Sequence, residues 1–221
     1  MKADLHVHTD YSNDGVSTPQ QVIETAAERG IMCVAITDHN SFRAYFDVKD
    51  NDRGVIVIPA EEVSSAEGHI LAIGIDREIP RGMGIQETID AIHEAGGYAF
   101  AAHPYRWWSG LGEKNTLGYP FDGVEALNAR SVPHANWKSK RLAARVGKPV
   151  TAGSDAHSPP RIGWGRVIFE EDGDLETWQD VVKAIMDGRA VPQSVSRQPS
   201  ETVRYGIKSI GQWAMRGFRK M

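Results

Sequence analysis

Six places in this 221-residue chain set histidine or carboxylate side chains at or near the ends of short apolar runs. The first, Asp4-Leu5-His6-Val7-His8-Thr9-Asp10, holds two imidazoles two residues apart, and Asp155-Ala156-His157 repeats that spacing near the other end. Residues two apart on a strand project from one face, so each pair is able to chelate a single ion. Between them lie Asp38-His39, Glu61-Glu62, Ala102-His103-Pro104, and Glu125 with Asn128. Neutral imidazoles with carboxylates, and no thiolates, suit borderline divalent ions such as Zn, Mn or Fe. Where carboxylates bridge two such ions about 3.5–4 Å apart, hydrolysis is the default chemistry. The one cysteine, Cys33, sits in the apolar run Ile31-Met32-Cys33-Val34 and reads as a buried small hydrophobe. Its count excludes a disulfide framework or a thiolate zinc site.

The elements that must position these side chains alternate between β-branched or apolar runs and stretches of helical period, the pattern of an α/β protein with a parallel sheet. Strands are predicted over residues 2–8, 31–37, 54–59, 69–75, 98–102, 123–127 and 149–153, with an eighth over 166–169. Thr18-Pro19-Gln20-Gln21 supplies a cap, a proline at the first helical position and a Gln three after the cap, and Gly30 ends the helix that follows. Ile85, Ile89, Ile92 and His93 keep helical spacing until Gly96-Gly97; His93 reads as a half-exposed helix residue. Residues 137–146 and 175–186 have the same period. Seven or eight β-α units suit a closed barrel or an open doubly wound sheet, and both gather active sites at the carboxyl ends of their strands.

With 41% hydrophobic and 24% charged residues the chain is expected to fold as one domain over residues 1–196, with a tail over 197–221. The tail carries six Lys or Arg against Glu201, a charge of +5 in a chain of net −4, so the body stands at −9. A body this acidic is a poor general binder of duplex nucleic acid. Val203, Ile207, Ile210, Ala214 and Phe218 share one helical face of the tail, which offers a surface contact with a membrane or RNA or a packing face for the body. No apolar run is long enough for a membrane span and no leader pattern is present, so a cytoplasmic location is expected.

The motifs DLHVHTDYSNDG, ITDHN, PAEE, AAHP and GSDAH, in this order over residues 3–165, resemble the PHP domain, the family of polymerase and histidinol phosphatase modules. That resemblance implies a distorted (βα)7 TIM-like barrel with three divalent ions at the carboxyl ends of its strands. Carried over by motif, His6, His8 and Asp155 would hold the first ion. Glu62, chosen over Glu61 by its spacing from Pro59, would bridge it to a second that His103 and His134 complete. His39, His157 and Asp14 would take the third. Asp38 would orient a ligand histidine, and His69 would hydrogen-bond the substrate or the cluster, or help protonate the leaving oxygen. His6, His8, Glu62, Asp155, His157 and His69 are thus the expected catalytic set.

The activity so implied is metal-dependent phosphoester hydrolysis, with a nucleotide or an oligonucleotide end as first substrate class and histidinol phosphate as the second. A different class of function is a binding module with a structural metal cluster, working through the basic tail. Arg106 and Arg130 are candidates for the substrate phosphate, since a guanidinium fork matches its geometry. The loop Tyr105-Arg106-Trp107-Trp108 after His103 offers aromatic rings that stack on a base or pack on the rim.

Overall fold

The computed structural model describes residues 1–195, and the expectations for the tail over 197–221 lie outside the described residues. Nine strands form one sheet: β1 (Lys2–Val7), β2 (Cys33–Ile36), β3 (Ile56–Ser64), β4 (His69–Ile73), β5 (Tyr98–Ala101), β6 (Gly123–Asn128), β7 (Val150–Gly153), β8 (Gly165–Ile168) and β9 (Val191–Ser194). Their order across the sheet is β7-β6-β5-β4-β3-β2-β1-β8-β9. Beyond β7 the sheet curls back onto β1, where the Asp155 amide donates to the His6 carbonyl (2.7 Å) and the His8 amide to the Ala156 carbonyl (2.9 Å). A Cβ on Gly153 would stand 2.2 Å from the Cβ of His6, so this seam closes only with glycine there. The result is a nearly closed barrel, which decides between the two architectures left open by the element string.

Six α-helices accompany the strands: α1 (Pro19–Glu28), α2 (Arg43–Val48), α3 (Ile85–Glu94), α4 (Gly112–Gly118), α5 (Pro133–Val146) and α6 (Trp178–Met186). The Thr18 hydroxyl accepts from the Gln21 amide (3.2 Å) and the Gln21 side chain accepts from the Thr18 amide (3.0 Å), the expected capping box of α1. Three elements have no counterpart in the sequence reading: the short helices α2 and α4 and the antiparallel strand β9.

The expectation of a wholly parallel sheet is corrected. β4 runs antiparallel to both β3 and β5, and β8 and β9 are antiparallel additions beside β1. The reason lies between β3 and β4, where only four residues separate Ser64 from His69, a length for a hairpin and far too short for a crossover helix. β3 also runs on to Ser64, past the predicted end at residue 59, so Glu61 and Glu62 lie inside a strand.

Leu5, Ala35, Ile58, Leu71, Phe100 and Ala152 fill the barrel interior together with Val181, Val182 and Ile185 of α6. Gly74, just past the end of β4, lies against Trp178 and Val182, so α6 closes the end of the barrel to which β4 descends. Full burial of the Leu, Ile, Val and Phe side chains among these contributes about 1.5–3 kcal/mol each. Cys33 belongs to the same interior, as expected, and burial raises its thiol pKa.

Candidate metal centre

A bulge in β1 aims two of the polar side chains into the barrel. In β1, Asp4 pairs with Val34 but Val7 pairs with Ile36, so three steps of β1 match two of β2. Alternation is thereby reset: Leu5 packs in the interior, Val7 packs outside with Val22 and Ile36, and His6 and His8 face the cluster. In β6, Glu125 and Leu127 are two apart and both reach the interior side, across a register shift against β7. In β3 plain alternation suffices, with Ile58, Ala60 and Glu62 inward, while Glu61 shares the outer face with Val63. Glu61 accepts the Ile79 amide (3.0 Å) and does not enter the cluster, which settles its ambiguity with Glu62.

Glu62 is the hub. Its Oε1 lies 2.8 Å from His69 Nδ1 and 2.8 Å from His103 Nε2. Its Oε2 lies 3.2 Å from His6 Nε2, His8 Nε2 and His39 Nδ1. His6 and His8 face one another through Nε2 atoms 3.1 Å apart, and Asp155 Oδ1 stands 3.9 and 3.5 Å from them. Asp14 reaches the other flank, 3.1 Å from His157 Nε2 and 3.9 Å from His39 Nε2. His69 opens its strand, yet it reaches the same end as the strand termini because β4 runs the other way.

The side chains of the cluster are themselves held. His6 Nδ1 lies 2.9 Å from Glu125 Oε1, and the other oxygen of Glu125 accepts the His103 amide (2.7 Å). His8 Nδ1 meets the Ser12 hydroxyl (3.0 Å), which donates to Asp38 (2.6 Å) and accepts the His39 amide (3.0 Å). Asp38 therefore orients His8 through Ser12, and is fixed in turn by the Thr9 amide (2.7 Å) and hydroxyl (2.6 Å). Bonds of this kind set which imidazole nitrogen is left for an ion. His103 and Asp155 both adopt left-handed backbone, φ 27 and 52, a strained conformation maintained by these surroundings.

Charge in the cluster is unevenly distributed. Burial opposes a proton on His6 and His8, but the Glu62 and Asp155 carboxylates near both, with Glu125 beside His6, raise His6 well above the usual range and His8 to about 9. Burial pulls His103 and His157 down to about 4, helped by Arg106 and by His8 and Arg130 respectively, and it lowers His39 as well. Burial alone would raise Glu62, yet His69, His6 and His39 hold it well below the carboxylate range. Arg106, Arg130 and His6 do the same for Asp155. His39, His103 and His157 are thus held neutral beside ionised carboxylates, the protonation state of metal ligands, whereas His6 and His8 hold a proton that a bound ion would displace.

The donors fit metal ions. A tetrahedral Zn site with bonds of about 2.0–2.1 Å has donor separations of about 3.3 Å. The three contacts among His6, His8 and Glu62 measure 3.1, 3.2 and 3.2 Å. His69 Nε2, His103 Nδ1 and one oxygen of Asp14 are buried without a hydrogen-bond partner. Four triads offer donor atoms within 4.8 Å of one another: His6, His8, Asp155; His6, Glu62, His103; His39, Glu62, His69; and His8, His39, His157.

Of the nine expected ligands, His6, His8, Asp14, His39, Glu62, His103, Asp155 and His157 converge. His134 does not: it is exposed in the first turn of α5, its ring stacked on Trp137 with centroids 5.8 Å apart. Pro133 starts that helix earlier than residue 137, and so places His134 on an outer face. His69 stands beside Glu62 and His103 instead. Arg106 is buried, with Nη2 on Asp155 (2.5 Å) and Asn128 (2.6 Å), while Arg130 Nη1 is 3.1 Å from Asp155. The Arg106 guanidinium lies 5.9 Å from the Trp108 ring, whereas Trp107 is exposed. His93 is exposed on α3 and bonds Asp122 (2.7 Å). Ser12 and Glu125 were not assigned roles from sequence; a hydroxyl four residues after His8 and an acid entering from β6 were the available signals.

Comparison with known proteins places this geometry. The model of the PHP domain matches residues 4–105, and that of the PHP-associated region matches residues 133–190. An uncharacterized Methanocaldococcus jannaschii protein is 39% identical over 142 residues, spanning 58% of this chain and 82% of the relative. A phosphoribosyl 1,2-cyclic phosphate 1,2-diphosphodiesterase of Eggerthella lenta is 26% identical across 85% of this chain and 70% of its own. A 5'-3' exoribonuclease of Haemophilus influenzae is 25% identical across 83% of this chain and 63% of its own. In fold, the chain is similar to a two-domain Bacteroides vulgatus protein containing a predicted PHP-like metal-dependent phosphoesterase, with TM-score 0.65 and 17% identity over 94% of this chain and 69% of that one. Five ordered motifs, a barrel closed between β7 and β1 and a histidine-carboxylate centre at one end agree with these matches: the chain belongs to the PHP domain family.

Proposed function

We propose that this metal-dependent phosphoesterase acts on substrates of the nucleotide class, a mononucleotide or the end of an oligonucleotide, with three divalent ions in the cluster. The observation that carries the reading is Glu62, one buried carboxylate with five imidazole nitrogens within 3.2 Å. So many donors on two oxygens demand several positive charges, and protons supply them poorly where burial lowers His39 and His103. In this reading His6, His8, Asp155 and Glu62 hold one ion, and Asp14, His39 and His157 a second. Glu62, His103 and His69 hold the third, His69 taking the place first given to His134.

When bound, the ions supply Lewis-acid stabilisation and lower the pKa of water. The protein's own groups do the positioning. Glu125 and the Ser12–Asp38 pair fix the His6 and His8 rings. Arg106 ties Asp155 to Asn128, while Arg130, half-buried with Nη1 on Asp155 (3.1 Å) and 2.6 Å from His157 Nε2, flanks the position a substrate phosphate would take. The nucleotide class draws support from the relative named a 5'-3' exoribonuclease; the relative named for phosphoribosyl 1,2-cyclic phosphate shares the ribose phosphodiester without a base.

Nucleoside mono- and bisphosphates, short oligonucleotides and histidinol phosphate, assayed with metal-loaded protein, test the substrate class. The double variant His6→Ala, Asp155→Asn is expected to lose turnover and to carry less metal by elemental analysis. An active, metal-free double variant refutes the site; metal-loaded wild type that hydrolyses none of these esters refutes the function.

A further inference from the structure

We propose that the exposed face of α5 binds a single-stranded nucleic acid and leads its end to the metal centre, which rests on the nucleotide reading above and extends it from monomers to chains. α5 carries Lys138, Lys140, Arg141 and Arg145 and no acidic residue, in a chain whose net charge is −4. His134, Trp137, Lys138, Arg141 and Arg145 recur at helical spacing and form one outward stripe, while Ala135, Ser139, Leu142 and Ala143 pack inward.

The stripe is built of flat groups as well as charges. The His134 and Trp137 rings stack at 17° with centroids 5.8 Å apart, and the Arg141 guanidinium covers Trp137 at 4.8 Å. Trp137 nevertheless stays 54% exposed, an apolar plate in a cationic setting. Aromatic plates among cations are how proteins hold single strands regardless of sequence, because every base has a face to stack. Arg145 is engaged by Glu113 (2.5 Å), but among the described residues no carboxylate forms an ion pair with Lys138, Lys140 or Arg141.

Two contacts join the stripe to the centre. Lys138 Nζ sits 5.4 Å from the ring of Tyr105, in the loop that follows His103. Arg130, three residues before Pro133, touches Asp155 at 3.1 Å. Along α5 the eight steps from Pro133 to Arg141 extend about 12 Å, so cations and rings run outward from the metal end along one path. A helix face with four cations and no acid of its own, on a chain of net charge −4, complements a polyanion.

The test is fluorescence anisotropy of the full chain with a labelled phosphorothioate single strand of roughly 12 nucleotides, a length within usual single-strand site sizes, measured across a salt series. Lys138→Glu with Arg141→Glu is expected to weaken binding at least about tenfold and to reduce the slope of log K against log salt by about 1.4, from about 0.7 per cation. Trp137→Ala is expected to weaken it between about fivefold and about 150-fold, the range for loss of one stacked base. Wild type without salt-dependent binding, or variants that bind like wild type, overturns the proposal, as does loss of binding to anionic vesicles with oligonucleotide binding intact. Hydrolysis of bis(p-nitrophenyl) phosphate reads the metal centre alone. Its absence alongside intact strand binding counts against the catalytic reading, and its presence with no strand binding counts against the surface.

Discussion

Glu61 and Glu62 are neighbours in sequence with opposite surroundings, and exchanging each for glutamine separates them. Glu61 lies on the outer face of β3 among Val63, Ala72 and Ile79, where burial raises its carboxyl to about 8 from 4.5, against the favourable Ile79 amide bond. Between those two values the folded protein holds a proton that the unfolded chain has released. Stability is therefore fully present below pH 4.5 and is lost as pH rises towards 8. At about 1.4 kcal/mol per pH unit, the rise from pH 5 to pH 7 costs about 3 kcal/mol. Glutamine reproduces the protonated acid: its oxygen accepts the Ile79 amide, and its other end leaves a polar group without partner, as the acid does. Glu61→Gln is thus expected to match wild type at pH 5 and to melt higher at pH 7 by roughly 6–12 °C, taking about 2–4 °C per kcal/mol for a chain of this size. Calorimetry across that range, with metal analysis of the same samples, is the assay. Glu61→Gln should keep its metal, whereas Glu62→Gln should lose it. A variant that parallels wild type at both pH values, or that loses metal, refutes the placement of Glu61 outside the cluster.

Three further outcomes follow from the site. Ser12→Ala breaks the link from Asp38 to His8 and is expected to lower metal affinity about 10–100-fold, read by chelator competition; unchanged affinity refutes an orienting role. His134→Ala should retain wild-type metal content by elemental analysis, and a loss would restore it as a ligand. Arg130→Ala is expected to reduce kcat/KM about 10–100-fold, the scale of one charge-assisted hydrogen bond, with Arg130→Lys between the two; equal kinetics in all three forms exclude the phosphate contact.

Much of this centre was legible because its chemistry is local in sequence. The pair His6/His8 needs little more than a strand and a period of two; Asp155/His157 also reaches the cluster, but from the loop past β7, where Asp155 takes left-handed backbone. What escaped was set by tertiary pairing. The bulge between Asp4 and Val7 is defined only against β2, so the sequence alone shows an alternation and not the reset within it. Glu62 was chosen by spacing from Pro59, but the reason it points inward is that β3 continues to Ser64. His134 lies outside the cluster because Pro133 starts a helix there and its first turn faces the ring outward, whereas the expectation for it rests on following a strand. His69 was undervalued for the opposite reason: at a strand start it lies far from an active site in a parallel sheet, and only the reversal of β4 brings it in.

That reversal also changes what surrounds the entrance. A (βα)8 barrel shapes its mouth with loops that each lead from a strand into a helix, so a change in one disturbs a packed outer element. Here the turn of residues 65–68 between β3 and β4 bonds within itself, the Ser65 amide and hydroxyl both reaching the Gly68 carbonyl at 3.0 and 2.6 Å, and also outward, the Ala66 amide donating to the Met83 carbonyl (2.8 Å) and Glu67 accepting the Ile85 amide that opens α3 (3.2 Å). A Cβ on Gly68 would stand 3.0 Å from the Ser109 carbonyl, so the turn also rests on the loop that follows His103. The hairpin that joins the strand of Glu62 to the strand of His69 is thus clamped between the start of α3 and that loop, and a change in its length disturbs two walls of the entrance at once.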